Sequence, residues 1–195
     1  MNTKKRAIII IAIIVGAIVL SALINLCISL IQEARYPLEY SEQVKKYAKE
    51  FNVPEYVIYA VINADSNFDP AKQYEDGSKG LMRIRKSAFL KISSPEHLSD
   101  DATFEDLSKP DVSIRFGAYY LRYLFDRYRS WDTAIVAYFA GEEQTDEWLS
   151  NQKYSPDRKE LKKIPQKEAK KYLKKVNGAI DYYKDTYYRN GAFTK

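Results

Sequence analysis

The chain has 195 residues, 46% of them hydrophobic, enough for one membrane segment and one domain. Its formal charge is +5, but Lys4, Lys5 and Arg6 precede the first apolar run and leave 28 basic against 26 acidic side chains. That balance gives no basis for nucleic-acid binding. One histidine (His97) and one cysteine (Cys27) give none for a zinc site or a disulfide framework. No cofactor is expected.

Residues 7–31 contain no charged side chain. At about 1.5 Å of rise per residue this run crosses a hydrocarbon core of about 30 Å. It is longer than the roughly 7–15-residue core of a cleaved signal peptide and ends in no small-x-small site. Leu26 before Cys27 argues against a lipid-anchored cysteine. The basic flank Lys4-Lys5-Arg6 predicts a cytoplasmic N-terminus and an external remainder. The expected organisation is a tail over 1–6, a transmembrane helix over 7–31, a linker over 32–38, one domain over 39–188 and a tail over 189–195.

The domain reads as helical almost throughout, with no alternating strand pattern. Ser41 begins a helix through Phe51. Asn52 is placed to cap the next, with Pro54 in its first turn, running to about Ala64. Asp69-Pro70 breaks the chain, and residues 72–79 form a polar loop around Gly77. Gly80-Leu81-Met82-Arg83-Ile84 is predicted to enter a short helix. The strongest helix starts at Pro110 and runs to about Arg129. Its stripe is Val112, Phe116, Tyr120, Tyr123 and Arg127, broadened by Ile114, Gly117, Leu121, Leu124 and Phe125. Ser130 caps the following helix and Gly141 stops it. A long last helix begins near Pro165 and lays Tyr172, Val176, Ala179, Ile180, Tyr183 and Tyr187 along its buried face. No internal repeat or second domain is visible.

Four segments stand out in order. They are Ile62-Asn63-Ala64-Asp65-Ser66-Asn67-Phe68; Gly80-Leu81-Met82-Arg83-Ile84; Ala137-Tyr138-Phe139-Ala140-Gly141; and Ile164-Pro165 followed by Glu168 and Tyr172. With the helix around residues 114–121 they resemble the soluble lytic transglycosylase (SLT) family over roughly residues 36–183. The resemblance implies an all-α, lysozyme-like SLT domain behind a single N-terminal transmembrane helix. It also implies peptidoglycan glycan strands as substrate. The implied reaction is non-hydrolytic cleavage between N-acetylmuramic acid and N-acetylglucosamine, giving a 1,6-anhydro product. One carboxyl serves as acid and then base, so the family departs from the two-carboxylate pattern of glycoside hydrolysis.

The family's acid is a glutamate, and Asp65 stands in its place, shorter by about 1.5 Å. The resemblance makes Asp65 the catalytic candidate. The residues alone also allow a turn-forming aspartate at a helix end. A general acid here needs a pKa raised by an apolar setting. Ser66, Met82, Arg83, Tyr138, Phe139 and Tyr172 are the implied substrate-binding set. Arg83 replaces a neutral glutamine. Near the acid it lowers the carboxyl's pKa, or it binds an acidic substrate group; otherwise it is simply solvated. Phe139 replaces an asparagine and either stacks on sugar or packs in its helix. Tyr172 matches the tyrosine that orients the acid, yet its stripe also fits a core position. Glu142 and Glu143 read as solvated acids at a helix start, with a substitute carboxylate at the cleft rim as the alternative.

Three functions are consistent with this pattern. One is a membrane-anchored lytic transglycosylase. Another is a weak or inactive relative that binds glycan or positions proteins of an envelope complex. The last is a purely scaffolding domain. The expected location is the cell membrane, single-pass, with the SLT domain extracellular or periplasmic.

Overall fold

The computed structural model describes residues 3–189, with side chains from Ile9 onward. Residues 1–2 of the expected N-terminal tail, and 190–195 of the expected C-terminal one, lie outside the described residues. The chain divides into two compact units, 1–37 and 38–195. Among the described residues there is no strand, only an isolated antiparallel pairing of Lys79 with Ile84.

The first unit is the helix α1, Thr3–Arg35. Its Ile9–Arg35 stretch contains a window of mean hydropathy 2.9, none of it buried within the protein. By length and composition it is a candidate membrane span. Residues 32–35, expected as linker, are helical. Gln32, Glu33, Ala34 and Arg35 all favour helix, and the break waits for Tyr36, which precedes a proline.

The second unit holds α2 (Ser41–Phe51), α3 (Glu55–Asp65), α4 (Lys86–Ile92), a 3₁₀ helix at Phe104–Ser108, α5 (Pro110–Tyr128), α6 (Trp131–Ala140), α7 (Glu142–Ser150) and α8 (Lys167–Tyr187). α2 has its predicted bounds. Asn52, however, ends α2 instead of starting α3: it takes the left-handed conformation and its N–H bonds Ala48 O. Asparagine tolerates that conformation better than most residues, so a C-cap wins over the predicted N-cap.

α3 is apolar on every side, and each residue from Val57 to Asp65 is buried. A helix without a polar face has to be surrounded. It packs on α2, α5 and, most extensively, α8. Tyr59 stacks on Tyr183 at 5.3 Å between ring centroids, and the Tyr188 hydroxyl donates to Glu55 at 2.7 Å. These contacts fix the N-terminal half of α3 against the C-terminal end of α8.

α5 is also enclosed, touching α2, α3, α4, α6 and the 3₁₀ helix. Its buried face is turned from the predicted stripe. Ser113, Ile114, Phe116, Gly117, Tyr120, Leu121, Leu124 and Tyr128 point inward, while Val112 and Tyr123 are half-buried and Arg127 is exposed. The aromatic and aliphatic pattern runs so far around the helix that periodicity alone leaves its orientation loose. Ser130 caps α6 through a bond from Thr133 N–H, and Gly141 ends it at φ +92°, both as predicted. On α8, Tyr172, Val176, Ala179, Tyr183 and Tyr187 are buried as expected, while Ile180 is half-buried.

Candidate active site

Asp65 is the last residue of α3, and it is 4% exposed. The chain turns immediately after it. Ser66 and Asn67 both return their N–H to Ile62 O, and Asn67 and Phe68 adopt positive φ. The Ser66 hydroxyl stabilises this turn, donating to Ile62 O at 3.0 Å and accepting from Phe68 N–H at 3.2 Å. The turn-forming side chain is therefore Ser66. The Asp65 carboxylate stays free for a different partner, the Tyr172 hydroxyl, which donates to Oδ2 at 3.2 Å. Two lysines satisfy the last carbonyls of α3: Lys72 Nζ meets Asp65 O and Lys175 Nζ meets Ala64 O, each at 2.6 Å. Cations belong at a helix C-terminus, where carbonyls lack intrahelical partners.

The second motif is a turn and not the predicted helix. Lys79 and Ile84 exchange backbone bonds of 3.0 and 2.9 Å, and Arg83 N–H returns to Gly80 O at 3.0 Å. Gly80 has φ +79° and Arg83 +47°, conformations no right-handed helix contains. Close packing explains the choice. A side chain on Gly80 would strike Leu107 O and the Ser113 side chain, and one on Gly117 of α5 would strike Met82. Met82 is wholly buried in that contact, and its N–H bonds the Ser113 hydroxyl at 3.2 Å.

α6 brings the third motif to the same place. The Tyr138 hydroxyl donates to Met82 O at 2.5 Å. Phe139 stacks on Tyr172, with centroids 4.7 Å apart and planes at 24°. Arg83 lies over the Phe139 ring at 5.8 Å and over Tyr74 at 5.2 Å, and it pairs with Asp76 at 3.2 Å. Asp65, Arg83, Arg85, Tyr138, Phe139 and Tyr172 line one pocket. The space left inside is about 10 Å³, roughly what one water needs.

Burial dominates the electrostatics here. It pushes the Asp65 carboxyl up to about 7, against the opposing pull of Arg83, then the Tyr172 hydrogen bond, then Lys175 and Lys72. Arg83 thus acts in the direction expected of a nearby cation, and loses to desolvation. Burial also holds the Tyr172 hydroxyl well above its ordinary value, helped by the Asp65 charge. Tyr172 therefore remains a donor. The arrangement gives a carboxyl that exchanges a proton near neutrality, oriented by a permanent O–H. Among the described residues, no group of three or more His, Cys, Asp or Glu side chains is placed to hold a metal.

The family model for the transglycosylase SLT domain matches residues 42–162. The chain belongs to the SLT family. The soluble lytic murein transglycosylase of Escherichia coli (strain K12) is 26% identical over 156 residues, 78% of this chain and 24% of that protein. The chain thus spans about a quarter of the length of that curated relative. A 70-kDa soluble lytic transglycosylase in complex with bulgecin A superposes with a TM-score of 0.72 at 23% identity, over 84% of this chain and 27% of the other. An inactive glutamate-to-glutamine variant of lytic transglycosylase Slt from Pseudomonas aeruginosa superposes at 0.67 and 23%, over 78% and 25%. These likenesses establish the lysozyme-like SLT fold. Tyr172 lies beyond the family match, on α8.

Within this SLT domain, the three departures from the family's motifs, Asp65, Arg83 and Phe139, share one pocket with Tyr138 and Tyr172. Ser66 and Met82 are not among its lining residues; they shape the turns that carry Asp65 and Arg83. Glu142 is not solvated as expected. Its side chain is 15% exposed and receives Lys91 Nζ at 2.8 and 2.9 Å and the Tyr123 hydroxyl at 3.0 Å. It joins α4, α5 and α7, whereas Glu143 is exposed. Arg85, Lys72 and Lys175 escaped the sequence analysis. Arg85 had a signal, two residues from Arg83 across the apolar Ile84, but the lysines meet backbone carbonyls and left none.

Proposed function

We propose that this protein is a peptidoglycan lytic transglycosylase with Asp65 in the acid/base position. One observation carries this: a buried carboxyl held near pH 7, hydrogen-bonded by a tyrosine, at the acid's place in an SLT domain. Protonated Asp65 gives its proton to the glycosidic oxygen between N-acetylmuramic acid and N-acetylglucosamine. The substrate's N-acetyl group stabilises the sugar cation. The carboxylate then takes the proton of the 6-hydroxyl, closing the 1,6-anhydro ring. Ser66 and Met82 support the cleft as turn-forming residues, while Arg83, Tyr138, Phe139 and Tyr172 face the glycan. Residues 7–31 hold the protein in the cell membrane as a single span, with the 1–6 tail cytoplasmic. The end of α1, the short break at 36–38 and the domain at 39–188 face the peptidoglycan.

A second function is favoured by the nearly filled pocket. With Phe139 stacked on Tyr172, no sugar ring fits beside Asp65 until that stack opens. A protein that keeps it closed binds glycan outside the pocket, or positions envelope proteins, without turnover.

Peptidoglycan digested with the full chain in mild detergent, followed by mass spectrometry, decides between them. The enzyme yields 1,6-anhydro muropeptides that vanish in Asp65→Ala. No product from the natural chain but product from Asp65→Glu establishes the second function, a degraded site in an intact cleft.

A further inference from the structure

Arg83 and Arg85 lie side by side on the wall of the Asp65 pocket. Ile84 between them points into the core at 2% exposure, so the two guanidiniums emerge together. Both approach the same oxygen, Asp76 Oδ2, at 3.2 and 3.7 Å, and both lie over the Phe139 ring, at 5.8 and 6.0 Å. Both also line an adjoining pocket that reaches Ser87, Tyr120 and Gly141. Among the residues lining the two pockets, Asp65 is the one acid. A guanidinium has five N–H donors. Among the described residues Arg83 donates one side-chain hydrogen bond, to Asp76, and Arg85 donates none.

We propose that Arg83 and Arg85 form a carboxylate clamp at the mouth of the Asp65 pocket. It makes the site select glycans carrying an acidic group beside the scissile bond over neutral N-acetylglucosamine polymers. The proposal rests on the glycan-cleaving function above and names its substrate class more narrowly.

Three features support it. Planar forks match a carboxylate with paired hydrogen bonds, which a single ammonium does not. Asp76 is a third exposed, and such a pair is worth about 0–1 kcal/mol, so Asp76 aligns the forks without sealing them. A neutral sugar would cover two cations and leave their donors unmet, and that penalty is what gives a polar site its discrimination. The acidic group fitting this position is the lactyl carboxylate of a muramyl residue, or the first carboxylate of a peptide attached to it.

The test is calorimetric titration of the full chain in detergent micelles, carrying Asp65→Asn so that bound sugar stays intact. The probes are a tetrasaccharide of alternating N-acetylglucosamine and N-acetylmuramic acid, its lactyl methyl ester, and the neutral N-acetylglucosamine tetrasaccharide. The acid is expected to bind at least about tenfold more tightly than the ester. Arg83→Gln with Arg85→Gln erases that preference, so that acid and ester bind with the same affinity. Equal binding of acid and ester, or a preference that survives both substitutions, overturns the clamp. If the natural chain still forms anhydro products in the digestion assay, the catalytic proposal survives it. Absence of both binding and products overturns the two together. Should the double variant fail to fold, Arg85→Gln alone carries the test, since Arg85 donates no hydrogen bond among the described residues.

Discussion

At the residue scale the chemistry turns on which force wins at Asp65. Burial raises its carboxyl to about 7 and Arg83 is the strongest opponent. In its proposed role as proton donor Asp65 must be protonated, so anhydro-product release is expected to fall about tenfold per pH unit above about 7. Replacing Arg83 with glutamine removes the main opposing charge, so the falling limb moves to higher pH; a pH–rate profile of both proteins checks it. The same shift affects stability. The folded carboxyl holds its proton from its ordinary value of 3.8 up to about 7, where the unfolded one has lost it. Stability therefore falls as pH rises through that window, by at most about 1.4 kcal/mol per unit, and levels off above it. Asp65→Asn is expected to flatten this slope, measured by denaturant unfolding at pH 4.5 and 7.5. Phe139→Ala removes the ring stacked on Tyr172 and is expected to increase glycan binding, read as a lower Kd.

At the element scale, the turn at 80–84 matters more than any helix, because it sets where Arg83 and Met82 go. Its shape is dictated from outside, by α5. Gly117 leaves room for Met82, and a methyl there would meet the Met82 Cβ at 2.8 Å and Cε at 2.7 Å. Met82 is wholly buried and has nowhere to retreat. Gly117→Ala is expected to destabilise the fold by about 1–3 kcal/mol and to reduce product formation, since the displaced turn carries Arg83. Thermal unfolding and the digestion assay read the two effects. This turn also shows what the sequence makes legible. Caps and stops, such as Ser130 and Gly141, are local chemistry and were readable, as was the course of α2, α5 and α8. The turn was read as helix because Gly-Leu-Met-Arg-Ile has no strong breaker after its glycine. Only the crowding against Ser113, Leu107 and Gly117, more than 25 residues away in the chain, rules the helix out. The candidate site was legible through its four motifs. The closure of the pocket was not, because the Phe139–Tyr172 stack depends on how α6 and α8 face each other.

At the scale of the whole molecule, the SLT domain and the apolar helix are separate problems. The domain assembles Asp65 and Tyr172 from positions 107 residues apart, and it does so through the α3–α8 contact within residues 38–195. None of the apolar window of α1 is buried within the protein. A stretch of this hydropathy left in water would expose a long run of Ile, Leu and Val, each worth roughly 1.5–3 kcal/mol when removed from water. A bilayer is a solvent that would meet that demand, and the proposed topology takes its direction from Lys4, Lys5 and Arg6. The expectation is that the full chain, expressed in bacteria, sediments with membranes and resists alkaline carbonate extraction. Protease added outside the cytoplasmic membrane should digest the domain and spare a small fragment containing α1. A soluble product shortened to begin near residue 32 would instead identify α1 as a cleaved signal. Release by carbonate without shortening would mean that the helix lies on the membrane without crossing it. Only the first result keeps the cleft near the bilayer, where the proposed transglycosylase would act on local strands and spare the rest of the wall.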